Sequence, residues 1–260
     1  MTYFKGFCMS LRMFTRIPLP YHVWDEKLMG TMVAAFPLVG LVIGAVWWGA
    51  ATLLTYLNLP IMMASAILTA APFFVVGFIH LDGYMDTSDA FLSYRPLEDR
   101  LRILKDPTVG AFAVVMLVLM FLLQFAAIFS LVEGGRFFAL LIAVCVASRC
   151  LSAFSIFTLK HMDGSNYAKI LGQNADVGYK LFVTVIFIGI IVFAYIYSGL
   201  FGIVVIIAVA LGYGLSMRAV YKSFKGVSGD LLGYSLVIGE LCGLIALAAV
   251  QNTRTFTTQM

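Results

Sequence analysis

Apolar residues fill this chain in runs of about twenty, separated by polar breaks of very unequal length. A bilayer-crossing helix needs roughly 20 such residues. The runs therefore predict spans at 31–57, 61–79, 110–132, 137–159, 180–199, 202–217 and 231–250. The breaks at 58–60, 133–136 and 198–199 are tight turns, whereas those at 80–109, 160–179 and 218–230 are long and polar. Gly40, Gly44 and Gly49 in the first run are candidate positions for close helix packing. Ahead of it, Lys5, Arg12 and Arg16 interrupt the apolar residues of segment 1–30. That segment reads as an amphipathic helix on the membrane surface, ending near Pro18 and Pro20, rather than as a signal peptide. The expected architecture is all-α: one integral membrane domain over 1–260, a polytopic bundle of about seven transmembrane helices.

Composition agrees. The chain is 62% hydrophobic and 12% charged, against about 25% charged in soluble domains, and its mean hydropathy is +0.99. Cys8, Cys145, Cys150 and Cys242 lack metal-ligand spacing and read as free thiols. The net charge of +4 is modest. It suits membrane orientation and gives no reason to expect nucleic-acid binding. Of the 17 basic residues, all but Arg136, Arg149 and Arg254 fall in segment 1–30, in the three long polar breaks or, as Lys180 does, directly at the edge of one. Positive residues favour the cytoplasmic side. The sequence thus predicts a cytoplasmic amino terminus and a cytoplasmic segment 80–109.

Segment 80–109 concentrates the chemistry. It and the following glycine read HLDGYMDTSDAFLSYRPLEDRLRILKDPTVG, with six of the 13 acidic residues. Asp82, Asp86 and Asp89 are spaced i, i+4, i+7, which on a helix places them on one face. Like charges so stacked repel, and a divalent cation would relieve the cost. Hard oxygen ligands with room for water and phosphate suit Mg²⁺ better than Zn²⁺. Gly83, beside the first aspartate, would let a ligand approach the backbone. The plain alternative is a solvated polar face.

Arg95, Arg100, Arg102 and Lys105 follow and would hold phosphate oxygens, though positive-inside anchoring would explain Arg95 and Arg100 equally well. Asp106 is a fourth metal-ligand candidate or a cap for the next span. Arg149 and Glu240 lie inside spans, where a charge is expensive and faces a cavity or a partner. They either bind substrate or pair with each other. Asp230, at the start of the last span, either caps it or joins the site. His80 is a candidate base at a span end.

At HLDGYMDTSD, 80–89, the chain resembles the cobalamin synthase family, the adenosylcobinamide-GDP ribazoletransferases. The likeness continues through the arginine-rich 95–102, the KD-x-x-x-G at 105–110, TRIPLP at 15–20, FPLVG at 36–40, Arg149, Tyr167-Ala168, GD-x-x-G at 229–233 and Glu240. Ser228 stands where that family usually has threonine, and Ala90 where glycine is frequent. The resemblance implies a Mg²⁺-dependent transferase of late cobalamin (vitamin B12) biosynthesis. A ribose hydroxyl of α-ribazole, or of its 5′-phosphate, would attack adenosylcobinamide-GDP and release GMP. It implies catalytic or metal roles for Asp82, Asp86, Asp89, His80 and Asp106. Substrate-binding roles would fall to Arg95, Arg100, Arg102, Lys105, Arg149, Asp230 and Glu240. A homo-oligomer is compatible with the sequence.

Three rivals fit less well. A CDP-alcohol phosphatidyltransferase would carry D-G-x-x-A-R, but Gly83 precedes Tyr84, Met85, Asp86 and Thr87. A prenyltransferase would show two separated aspartate-rich motifs, and one is present. A transporter would show paired, interrupted repeats, and the chain has none in view.

Overall fold

The computed structural model describes residues 2–19, 24–162 and 176–258, with side chains to Gln251. Among the described residues there are eleven α-helices and no β-strand. They are α1 (Thr2–Phe14), α2 (Met29–Ala34), α3 (Phe36–Tyr56), α4 (Ile61–Val76), α5 (Ile79–Leu92), α6 (Leu97–Ile103), α7 (Ala111–Gly134), α8 (Leu140–Thr158), α9 (Val177–Ser198), α10 (Leu200–Phe224) and α11 (Gly229–Thr258). Helices α3, α7, α8, α9, α10 and the 229–251 part of α11 are long and apolar enough to cross a membrane. Helices α8 and α11 form the enclosed centre, with α3, α9 and α10 packed on α8 and α5, α7 and α10 on α11. The outer faces of α7 and α9 expose Val118, Leu122, Val185, Ile188 and Val192, as a lipid-facing surface does. This is a multi-pass membrane protein.

The expected seventh span, 61–79, is where structure and sequence part. Helix α4 has 16 residues, about 24 Å at 1.5 Å per residue, which is short of a hydrocarbon core of about 30 Å. It ends in two successive left-handed residues, Gly77 (φ +81°) and Phe78 (φ +68°), and α5 leaves at 96° to it. Only the bent pair together would make a seventh span. Glycine takes positive φ freely and phenylalanine does not, so the bend must be held from outside. The segment after α1 holds it. The Arg16 backbone N–H donates to the Val75 carbonyl at 2.8 Å, and the Arg16 guanidinium lies 5.7 Å over the Phe78 ring. Thr15 shapes this segment: its hydroxyl donates to Leu11 O at 2.7 Å and accepts from Ile17 N–H at 3.3 Å.

Other boundaries shift for local reasons. The amino-terminal helix stops at Phe14 and buries Gly6, Cys8, Met9, Ser10, Leu11 and Phe14, so it is docked on α2 and α3 and not merely laid on lipid. The first run breaks at Ala35, just before Pro37, so the span begins at Phe36. Gly40 and Gly44 do serve close packing: side chains there would meet Cys145 O at 2.6 Å and Ile142 Cα at 2.5 Å on α8. Gly49 has nothing within 4 Å. Helix α10 continues to Phe224, so Arg218 and Lys222 are helical and not in a loop.

Candidate active site

Helix α5 carries Asp82, Asp86 and Asp89 along one face, as their spacing requires. The structure adds Asp230 to them. A Cβ on Gly83 would lie 2.8 Å from Asp230 Cα, and one on Gly233 would lie 3.3 Å from His80 Cα. Two glycines, one on each helix, therefore let α5 and the start of α11 pack backbone to backbone. Gly83 serves this approach and not a ligand's. Ser228 is the cap of α11, its hydroxyl accepting from Leu231 N–H at 3.4 Å and donating to Asp230 at 3.4 Å. Asp230 is thus left to face the acidic cluster.

The electrostatics record the crowding. Burial, then the charges of Asp82, Asp230 and Asp89, push the half-buried Asp86 carboxyl up to about 6. None of the four carboxylates has an ion-pair partner among the described residues. Asp89 lies against the entry of α7, where a Cβ on Gly110 would come 2.0 Å from both carboxylate oxygens. That explains a glycine closing the KD-x-x-x-G stretch. Among the described residues, no three His, Cys, Asp or Glu side chains converge into a closed metal cage. The donor set suits a different kind of site. Mg²⁺ keeps several waters and is held by one or two carboxylates plus substrate phosphates, and uncompensated hard oxygens at a half-exposed surface supply that.

The other candidates divide. Asp106 is exposed and shapes a turn, its Oδ1 accepting from Thr108 N–H (2.9 Å) and from the Thr108 hydroxyl (2.6 Å). Those two bonds hold its carboxyl below the usual range. Thr108 thus engages one of its two carboxylate oxygens. Arg95 is exposed between α5 and α6. Arg102 is exposed and bonded to Asp99 at 2.6 Å, one turn back on α6. Arg100 is half-buried, its guanidinium 5.4 Å over Phe224 at the end of α10 and its Nε without a partner. Lys105 is exposed at the rim of a cavity.

Arg149 and Glu240 find each other. The buried Arg149 side chain donates from one terminal nitrogen to Glu240 Oε1 and, at 3.0 Å, to Cys145 O. Ser148 Oγ lies 2.9 Å from the same glutamate oxygen. Of the two readings their sequence positions allowed, the structure supplies the pair. His80 lies among aromatic rings. Its ring is stacked on Phe14 at 5.9 Å and tilted against Phe36 at 5.8 Å, and its Nε2 is buried without a partner. Burial, and then Arg149, push it down to about 3, so it is neutral and a weak base.

A cavity of about 350 Å³ opens beside Asp230, the member of the cluster that α11 supplies. Its rim includes Lys105, Gly229 and Asp230, and its depth is walled by Phe14, Phe36, His80, Ile156 and Leu236. Met13, His80, Lys105, Met162 and Ser228 all line it. The amino-terminal segment and the three long polar breaks therefore meet at one end of the bundle, as the one-sided basic residues predicted. The backbone ties two of them, Met162 N–H to Val227 O and Val227 N–H to Lys160 O, both at 3.0 Å. The Tyr167-Ala168 pair lies outside the described residues. Sequence reasoning missed Phe14, Phe36 and Gly233 as site-forming residues. The first two did lie in or beside TRIPLP and FPLVG, whose apolar letters gave no chemical signal.

Comparison with known proteins bears on the whole chain. The family described as cobalamin-5-phosphate synthase matches residues 6–248. A Clostridium botulinum (strain Alaska E43) protein called adenosylcobinamide-GDP ribazoletransferase is 37% identical over 243 residues, covering 94% of this chain and 96% of that one. Proteins of the same name are 35% identical in Clostridium perfringens (ATCC 13124), covering 95% and 99%, and 30% identical in Brevibacillus brevis, covering 94% and 97%. No solved structure matches the chain.

Proposed function

The chain belongs to the cobalamin-5-phosphate synthase family, and from that premise we propose that it joins α-ribazole, or its 5′-phosphate, to adenosylcobinamide-GDP with release of GMP. The observation that carries this reading is the gathering of Asp82, Asp86, Asp89 and Asp230 with no ion-pair partner among the described residues, Asp230 lying also at the rim of a ligand-sized cavity. A ribose hydroxyl oxygen forms a bond to the phosphorus that bears cobinamide. The bond from that phosphorus to the bridging diphosphate oxygen breaks, GMP leaves with the electron pair, and the hydroxyl proton passes to a carboxylate of the cluster. Asp82, Asp86 and Asp89, with Asp230 beside them, would hold Mg²⁺. When bound, the ion neutralises diphosphate charge as it moves onto the leaving group. The half-buried Arg100, and Lys105 at the cavity rim, would be the cations that meet phosphate oxygens. His80 sits behind the reacting groups and takes no proton.

The one-sided basic residues support placing this end of the bundle in the cytoplasm, in the bacterial inner membrane, where the nucleotide substrate is available. The test is purified protein with adenosylcobinamide-GDP and α-ribazole phosphate, with and without Mg²⁺. GMP and the joined corrinoid should form in equal amounts, and only with the metal. Metal-independent turnover would remove the metal from the reading, and no turnover in either condition would remove the reaction.

A further inference from the structure

The geometry points to the 350 Å³ cavity as the seat of the benzimidazole base of the nucleophilic substrate, with a His80 ring nitrogen donating to the free nitrogen of that base. This deepens the reaction proposed above and rests on it. Size is the first argument. The cavity lies at the lower end of small-ligand pockets, roughly 300–1,000 Å³, which suits a nucleoside. A corrin macrocycle with its amide arms is far larger and must stay outside the rim.

Polarity then chooses between the two bases in the reaction. Guanine presents donors and acceptors on several edges, and burying it here would leave them unanswered. Dimethylbenzimidazole has an apolar, methylated edge and one free ring nitrogen, which only accepts. The depth of the cavity matches that pattern. Phe14, Phe36, Ile156 and Leu236 are apolar, and the Ser152 hydroxyl already donates to Ser148 O at 3.0 Å. His80 makes no hydrogen bond among the described residues; its Nε2 is sealed off, whereas Nδ1 is not among the buried atoms and is the ring nitrogen a ligand in the cavity can reach. A ring N–H that a bound ligand desolvates costs stability unless something pairs with it, and the base nitrogen is the complementary group. Orientation follows. With the base among the aromatic rings, the ribose lies at the rim beside Asp230 and Lys105, where its hydroxyl meets the carboxylate cluster. Neither His80 nor the two phenylalanines need touch the reacting atoms, so His80 is a specificity-determining residue.

The test compares acceptors. With α-ribazole and its indole analogue, in which the free ring nitrogen is a carbon, the wild-type enzyme should favour α-ribazole by about tenfold in kcat/KM, the scale of one hydrogen bond. His80→Ala should abolish that preference, and His80→Gln, which keeps a donor, should retain part of it. An equal preference in wild type and His80→Ala overturns the proposal, and so does no preference in wild type. Neither result touches the reaction itself, which fails only if α-ribazole gives no product. Should the variants not fold, the wild-type protein decides alone. An azido-benzimidazole riboside should cross-link to Phe14, Phe36 or Ile156, in competition with α-ribazole and not with guanosine. Label confined to other helices, or chased by guanosine, overturns it.

Discussion

Two groups of charges lie within this bundle, and they are held in opposite ways. Arg149 and Glu240 are of opposite sign, face each other across α8 and α11, and draw in the Cys145 carbonyl and Ser148 hydroxyl. Asp82, Asp86, Asp89 and Asp230 are of one sign and have no ion-pair partner among the described residues. A compensated pair can be replaced by apolar groups of similar volume at little cost, although breaking it is expensive. An uncompensated cluster is a standing cost, and packing α5 on α11 through Gly83 and Gly233 deepens it by drawing in Asp230. The first group satisfies itself and needs no ligand to do so. The second makes sense as a place for a cation and the phosphates it carries.

The largest effect that would sharpen this contrast is on catalysis. Asp82→Asn or Asp86→Asn should lower GMP release by roughly 10²–10³-fold or more, the scale for losing one oriented electrostatic group, while the protein still folds. Full turnover in either variant breaks the contrast. Next is the pair. Arg149→Met alone should cost about 3–5 kcal/mol of stability by stranding Glu240, and Arg149→Met with Glu240→Met should recover most of it. A thermal melt of the single and double variants reads this directly. If the double variant is stable and inactive, Arg149 or Glu240 belongs to the site after all.

Gly110→Ala should act through Asp89. The new methyl would displace a flexible carboxylate, so turnover should fall by up to roughly 10²-fold, the cost of misplacing a group by about 1 Å, with little change in melting temperature. Unchanged turnover would take Asp89 out of the site. A subtler effect comes from pH. The folded carboxyl of Asp86 sits near 6, above its unfolded value of about 3.9, so its protonated form favours the fold. In metal-free protein, this group should add stability as pH falls through about 6 and remove it as pH rises. Asp86→Asn should flatten that dependence, and Mg²⁺ should oppose it. A melt series between pH 5 and 8 in both proteins checks the sign. Smallest of all, Arg102→Ala should change stability by less than about 1 kcal/mol, because its bond to Asp99 is a solvent-exposed one.

What the sequence made legible follows from local periodicity. The one-face aspartates needed only helical spacing, and α5 is a helix. The alternating long and short breaks, together with the basic residues, identified the end of the bundle where the site lies. Arg149 and Glu240 announced themselves as intramembrane charges, and their pairing was one of two readings. What stayed hidden depends on contacts between distant segments. The 96° turn requires Phe78 in a left-handed conformation that the chain adopts only because Arg16 latches onto Val75 and Phe78. Asp230 joins the cluster from 141 positions beyond Asp89, through two glycines whose purpose appears only when α5 and α11 are set side by side. Asp106 read as a fourth ligand or a cap for the next span, and its bonds to Thr108, which shape the turn before that span, depend on the folded loop.

The central claim is that the unpaired carboxylates are the working site and the paired charges are its frame. The most direct measurement is Mg²⁺-dependent GMP release from adenosylcobinamide-GDP by the wild-type protein, by Asp86→Asn and by the Arg149→Met, Glu240→Met double variant, at equal amounts of folded protein. The account predicts that Asp86→Asn loses release at every Mg²⁺ concentration, while the double variant stays within about tenfold of wild type, since a compensated pair is replaceable. An active Asp86→Asn protein beside an inactive double variant would contradict it.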